Sequence, residues 1–223
     1  MTKEDMTKEA YEALLDSIID IVKKNGMVAS TMDSIASSLQ MSKRTLYEIF
    51  NNKEEMINKV LDGYHLRMAK RHKEIAEASA NEIEAILEIF VYARDEIAKM
   101  NANFYNDMDY YYSQAKLNSR ETQFTYLQNM VNLIKTGMTK GYFRTDINYL
   151  LHFRMMILQM ESLKKMEETF PPDISLLDVY DAGCLGFLRG IASYKGLRIL
   201  DKLLEKHPEL TRPSRSINQN NQT

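Results

Sequence analysis

The chain has 223 residues, 44% of them hydrophobic, which is enough for a packed core and argues against disorder. With 8 Gly, 4 Pro and apolar residues recurring mostly at three- and four-residue spacing, the expected fold class is all-α. The net charge of -2 argues at first sight against nucleic acid, and no run of about 18 uninterrupted apolar residues exists to cross a membrane.

The N-terminal stretch MTKEDMTKEAYEALL is charged and lacks the apolar core of a secretory signal. Together with the single Cys184, it leads to the expectation of a reducing, cytoplasmic setting. A first helix is expected from Lys3 or Thr7 to Lys24, with Tyr11, Leu14, Leu15, Ile18 and Val22 inward and Asn25-Gly26 ending it. In the next stretch, TMDSIASSLQMSKRTLYEIFNNK, Met32, Ile35, Ala36 and Leu39 form one apolar face behind Thr31, which sits where a helix cap belongs. Gln40-Met41 make a short break, and Ser42 caps a second helix that buries Leu46, Ile49 and Phe50. Two helices joined by so short a turn read as a helix-turn-helix, whose second helix suits a DNA major groove.

Charge distribution supports that reading better than the net charge opposes it. Between Gln40 and Lys53, three cations face one carboxylate, Glu48. Lys43, Arg44 and Thr45 stand at the start of the second helix, where side chains reach base edges, and Arg44 can donate two hydrogen bonds to a guanine. Thr31, Ser42, Tyr47 and Lys53 suit phosphate contacts, with helix capping the competing role for Thr31 and Ser42. The low overall charge predicts weak non-specific binding and reliance on a dimer.

The set Ser42-Lys43-Arg44-Thr45-Leu46-Tyr47, Phe50, Lys53-Glu54, Met56 and Ile57 resembles the DNA-binding segment of TetR-family transcriptional regulators. Thr31, Ile35 and Ala36 upstream, with Leu14, Leu15, Ile18 and Gly26, fit the same pattern. The resemblance covers roughly the first quarter of the chain and fades afterwards. It implies phosphate contacts by Tyr47 and Lys53. The turn departs from the family pattern, which usually has glycine where this chain has Gln40, so Gln40 is expected to adopt a left-handed conformation at modest strain.

A fourth helix is expected from Lys53, with Met56, Ile57, Val60, Leu61 and Tyr64 inward and a basic run from His65 to Lys73. That run reads as a solvated face, with a secondary phosphate contact as the sharper alternative. Helices follow at about 82–100, 104–116 (rich in tyrosine) and 120–140, the last stopped by Gly141. Lys140-Gly141-Tyr142-Phe143-Arg144 and Asp146 resemble the connector before the dimerising helices of TetR-like proteins. The segment 148–168 is apolar nearly all round and should be covered on more than one side. After the loop at Phe170-Pro171-Pro172-Asp173, one long helix is expected over about 176–205. Its Gly183, Gly186 and Gly190 each cost about 1 kcal/mol against alanine, which demands a reason. Close approach of a second copy is the preferred reason, with tight packing inside one chain as the alternative.

The resemblance likewise implies a four-helix homodimer interface, to which Met156, Met160, Gly183, Gly186, Phe187 and Gly190 are assigned. Phe90, Tyr92, Phe104, Tyr105, Met108, Tyr111, Phe124, Met130, Met155 and Met160 are candidates for an effector pocket, since aromatic and methionine side chains suit a flat or hydrophobic ligand. Plain core packing competes for every one of them. His65, His72, His152 and His207 are scattered without a cysteine and carboxylate constellation, so no metal site, cofactor or enzyme activity is expected. No glycine-rich phosphate loop appears, and Cys184 sits among small apolar residues as an inert thiol would.

The organisation expected is a DNA-binding domain over 1–55, a helical effector-binding and dimerising domain over 56–211, and a polar, disordered tail over 212–223. The function expected is a homodimeric regulator of transcription on double-stranded DNA, a repressor of a palindromic operator released by a small, largely hydrophobic or aromatic effector. A constitutive regulator without effector, or a helical interaction module, stands as the alternative.

Overall fold

A computed structural model describes residues 6–101, 104, 107, 119–161 and 170–211, with the side chains of 119–127, 160 and 161 left out. Every regular element among them is helical, and they gather into two compact units: 1–71 with 99–126, and 72–98 with 127–223.

In the first unit, α1 (Lys8–Asn25) starts at Thr7, whose side chain accepts from the Ala10 amide, and ends at Gly26 with φ 88. Then come α2 (Met32–Ser38), α3 (Lys43–Ile49) and the start of α4 (Lys53–Ala78). The expected boundary at 55/56 falls in the first turn of α4, which continues unbroken. Isolated helices shorter than about 12 residues are marginal in water, so α2 and α3 depend on packing. Ile18, Ile19, Ile35, Leu46 and Met56 provide it, all fully buried in one cluster. Each such burial contributes about 1.5–3 kcal/mol, while a cap contributes about 1 kcal/mol. Packing therefore holds these helices, and caps decide where they begin.

The second unit contains α5 (Glu82–Ala98), the later part of α6 (Ser119–Thr139), α7 (Tyr149–Glu161), α8 (Leu176–Ile191), α9 (Tyr194–Leu204) and a short 3-10 turn at Pro208–Thr211. Phe153 of α7 packs on Phe187 of α8 with ring centroids 5.5 Å apart. Arg94 of α5 donates through Nε to both Asp181 carboxylate oxygens at 2.8 and 2.9 Å. Gly141, at φ 74, ends α6 as its position suggests.

Two expectations change here. The single helix over 176–205 is two helices, because Ala192 is extended at ψ 139 and Ser193 caps α9 by accepting from the Gly196 amide. The connector after α6 holds the break open: Arg144 N–H donates to Ile191 O and Ser193 N–H to Tyr142 O, both at 2.9 Å. Nor do the described residues cover α7 on more than one side. Phe153 and Met156 are buried, whereas Leu150, Leu151, Met155 and Leu158 are exposed. Apart from Phe104 and Asp107, the tyrosine-rich stretch after Asn101 lies outside the described residues, as do the end of the expected 148–168 helix and the tail from Arg212.

Candidate nucleic-acid interface

The geometry of the helix-turn-helix follows from its two caps and its turn. Thr31 and Ser34 form a reciprocal capping box at the start of α2. At its end, Gln40 N–H donates to Ser37 O at 3.0 Å and Met41 N–H to Ala36 O at 2.9 Å. These paired bonds are the Schellman closure, which needs a left-handed residue between them. Gln40 is that residue, with φ 55, as expected from the sequence. Ser42 then caps α3 by accepting from the Thr45 amide at 3.0 Å, and its hydroxyl also meets Thr45 Oγ1 at 2.8 Å. The hydroxyls of Thr31 and Ser42 are thus engaged as caps.

On the outer side of α3, Arg44 is 89% exposed and Tyr47 is 49% exposed, while Leu46 and Ile49 face the core. Lys43, Arg44, Thr45 and Tyr47 therefore share the opening turn and a half of one solvent-facing helix. The charges are not bare. Lys43 is paired with Asp33 of α2, and Arg44 Nε donates to Glu48 Oε1 at 2.9 Å. The Glu48 hydrogen bond raises the Arg44 pKa further, so the guanidinium stays fully charged. Lys53, at the start of α4, donates to Val28 O at 2.9 Å. Asp33 and Glu48 are site residues that the motif alone does not single out. The spacing of four between Arg44 and Glu48 is a local signal for their pairing, whereas nothing local pairs Lys43 with Asp33.

Among the described residues, the effector candidates lie at several separate places. Phe90 is buried beside Phe187, and its carbonyl accepts from Tyr180 Oη at 3.1 Å. Tyr92 lies edge-on to the buried His72, and Met130 is core. Phe104 belongs to the core of the first unit, with Leu14, Leu46 and Phe50. Tyr105, Met108 and Tyr111, with the side chains of Phe124 and Met160, lie outside the described residues.

Met155 instead lines an open groove of about 410 Å³ between α7 and α8, together with Met156, Gly183, Gly186 and Phe187. A Cβ built on Gly186 or Gly190 would meet nothing within 4 Å. Packing among the described residues therefore gives no reason for either glycine. The Cys184 thiol is buried, which pushes its pKa up to about 12 and removes it as a nucleophile. No helix among the described residues is long and apolar enough to cross a membrane.

Residues 14–60 match the model of the bacterial regulatory proteins of the tetR family. The chain is similar to the HTH-type transcriptional repressor KstR2 of Mycobacterium tuberculosis (strain H37Rv), with 24% identity over 151 residues, 64% of this chain and 74% of that protein. It is similar to KstR2 of Rhodococcus jostii at 26% identity over 64% of this chain and 72% of that protein. Among solved structures, the ketosteroid transcriptional regulator KstR2 of Mycobacterium tuberculosis aligns with a TM-score of 0.55 at 22% identity, covering 84% of this chain and 97% of that one. FadR of Bacillus subtilis, in complex with stearoyl-CoA, aligns with a TM-score of 0.60 at 16% identity, covering 81% and 99%. At such identities these two structures establish a shared fold.

Proposed function

Since this chain belongs to the TetR family of transcriptional regulators, we propose that it is a homodimeric repressor of a palindromic operator, released by a small hydrophobic effector. The observation that carries the reading is the start of α3, which presents Lys43, Arg44, Thr45 and Tyr47 from a helix fixed by the Gln40 turn and the Ser42 cap. Two such helices, one per subunit, enter successive major grooves about 34–36 Å apart. Arg44 reads a base edge, Lys43 a base or a phosphate, and Tyr47 and Lys53 hold the backbone. Residues 1–55 form the reading domain in this scheme, and 56–211 the regulatory and dimerising one.

The dimer surface is the exposed face of α7 with the glycine face of α8. Leu151, Met155 and Leu158 recur at helical spacing there, and Gly186 and Gly190 leave room for a second helix. The expected function is exercised in the cytoplasm, with the DNA it controls. The hydrophobic class of effector is supported by the stearoyl-CoA bound to FadR and by KstR2 being a ketosteroid transcriptional regulator. Release requires an effector that binds the two dimer shapes with different affinity. A regulator without effector is the second reading, favoured by the close packing of Phe90 and Met130 in the core.

The test is selection of bound sequences from random duplex DNA at fixed salt, with wild type, Arg44→Ala and Tyr47→Ala. The proposal expects wild type to enrich a palindrome, and both variants to lose it while remaining folded dimers. No enrichment by wild type at any salt sinks it. The selected operator then serves to screen acyl-CoA and steroid ligands for release of DNA. Failure of every such ligand favours the second reading.

A further inference from the structure

Lys53, the proposed phosphate contact at the head of α4, does not stand alone. Its ammonium donates to Val28 O at 2.9 Å, and Val28 N–H donates to Asp107 Oδ2, also at 2.9 Å. Val28 sits in the loop between α1 and α2, half exposed, with no side-chain burial to fix it. The loop ends are fixed otherwise: Gly26 closes α1, Ser30 Oγ donates to Gly26 O at 2.7 Å, and Thr31 opens α2. In the middle of the loop Met27 is buried in the core, and the peptide groups of Val28 are held by Asp107 on one side and Lys53 on the other.

The segment carrying Asp107 is itself anchored to the same unit. Asn101 N–H donates to Lys23 O at 2.7 Å, and Asn101 Nδ2 donates to Lys24 O at 3.3 Å. Those carbonyls belong to the last turn of α1, which a helix leaves without intrahelical partners. Phe104, three residues on, is 1% exposed in the core formed by α1 to α4. Asn101, Phe104 and Asp107 thus fasten this segment to α1, to the core and to the Val28 loop.

We infer that Asp107 positions Lys53 for the DNA backbone through Val28. The carboxylate takes the N–H on one side of the Val28 Cα and the ammonium takes the carbonyl on the other. Both hydrogen bonds are charge-assisted, and because they hold the two peptide groups that flank one Cα, Asp107 helps to fix where the Val28 carbonyl stands. A lysine has a long, mobile stem, and holding its head in place before DNA arrives removes part of the ordering cost of the contact. An ammonium carries three donors, so a bond to Val28 O is compatible with a phosphate contact. Asp107 need not touch DNA. Its negative charge would oppose DNA at close range, so any loss of affinity on its removal runs against simple electrostatics.

The inference rests on the phosphate contact proposed for Lys53, and the experiment separates the two. Affinity for the selected operator is measured across a salt series for wild type, Lys53→Ala, Asp107→Ala, Asp107→Asn and the double alanine variant. Lys53→Ala is expected to weaken binding to all sequences and to lower the salt slope by about 1 per subunit. Asp107→Ala is expected to weaken binding about three- to tenfold with a slope shifted towards that of Lys53→Ala. Asp107→Asn keeps an acceptor and should recover most of the affinity.

In the Lys53→Ala background, Asp107→Ala should have no further effect, because its route to DNA is gone. Equal losses in both backgrounds would mean that Asp107 merely supports the fold, and overturn the inference. A wild-type slope and affinity for Asp107→Ala, beside a weakened Lys53→Ala, overturns it alone. A silent Lys53→Ala overturns the Lys53 contact and the inference together. Should Asp107→Ala not fold, Asp107→Ser gives a polar truncation too short to reach Val28, with the same outcomes expected.

Discussion

The glycines of α8 allow a prediction with opposite signs for chain and dimer. Gly186 and Gly190 are one turn apart in α8, Gly186 in its interior and Gly190 next to its last residue; Gly→Ala gains about 0.8–1 kcal/mol of helix propensity in an interior and less at an end. An added methyl meets nothing within 4 Å at either position. The double variant Gly186→Ala/Gly190→Ala should therefore stabilise the chain itself by about 1–2 kcal/mol. For a domain of this size that is a rise in melting temperature of about 2–8 °C.

If a second copy packs its helices against this face, the same methyls intrude into a close contact. Overpacking costs about 1–3 kcal/mol per site, and a symmetric interface takes four methyls. Even about 1 kcal/mol each weakens the dimer by a factor on the order of 10³. The assay is sedimentation equilibrium over a wide concentration range, with thermal unfolding at high and low protein concentration. The expected result is a monomer at concentrations where wild type is dimeric, with helicity retained and the dilute chain melting higher. A variant that melts higher at every concentration and dimerises as tightly as wild type would refute the α7–α8 interface.

Three further outcomes follow from local geometry. Gln40→Gly removes the strain of a side chain at φ 55 and should raise stability to urea by about 1 kcal/mol without changing operator affinity. Arg94→Met strands the Asp181 carboxylate, which is 11% exposed and held by Arg94 alone among the bonds described for it; denaturant titration should show a loss of about 3–5 kcal/mol, largely recovered in Arg94→Met/Asp181→Leu. Burial lowers the His72 pKa from 6.5 to about 4, so the unfolded chain takes up a proton that the folded chain refuses. This contribution is complete above the unfolded pKa and is lost as pH falls towards the folded one, amounting to about 2 kcal/mol by pH 5. His72→Gln should flatten the stability profile between pH 7 and 5 by that amount, and an unchanged slope would place the titration elsewhere.

What could be read from the residues, and what could not, divides along the range of the interactions. Thr31, Ser42 and Ser175 announce helix starts because a cap is made within three residues. Gln40 could be assigned a left-handed conformation because the turn is local too. The break at Ala192 hides behind an apolar spacing that runs on from Leu188 through Ile191 to Leu200 and Leu204. Its cause is distant in sequence: Tyr142 and Arg144 take part in hydrogen bonds at residues 191–193, and a methyl on Gly196 would come within 2.2 Å of Tyr142 O. Ser193 and Gly196 were the visible signals, a cap and a close approach inside what reads as one helix. The effector residues are hard to read from sequence for another reason. A stripe of Phe and Met at helical spacing has the same pattern whether it lines a core or a cavity, and only three-dimensional packing tells Phe90 from Met155.

The same distinction bears on how such a protein would be controlled. The motif sets three cations against the single carboxylate Glu48, yet in the structure Lys43 and Arg44 are both paired, with Asp33 and Glu48. Exposed pairs of this kind are worth only about 0–1 kcal/mol, so a phosphate or guanine can displace the carboxylate, at a small loss of net affinity per reader. With a chain charge of -2 adding no general attraction, one reader binds weakly, and tight binding on the proposed dimer depends on both readers engaging at once. Linked sites gain affinity through effective concentration, and lose that gain when their spacing no longer matches the target. A reader that is weak alone therefore suits regulation by shape. On the proposed dimer, a change in the spacing of two α3 helices would remove most of the binding energy without altering a single proposed DNA-contacting side chain.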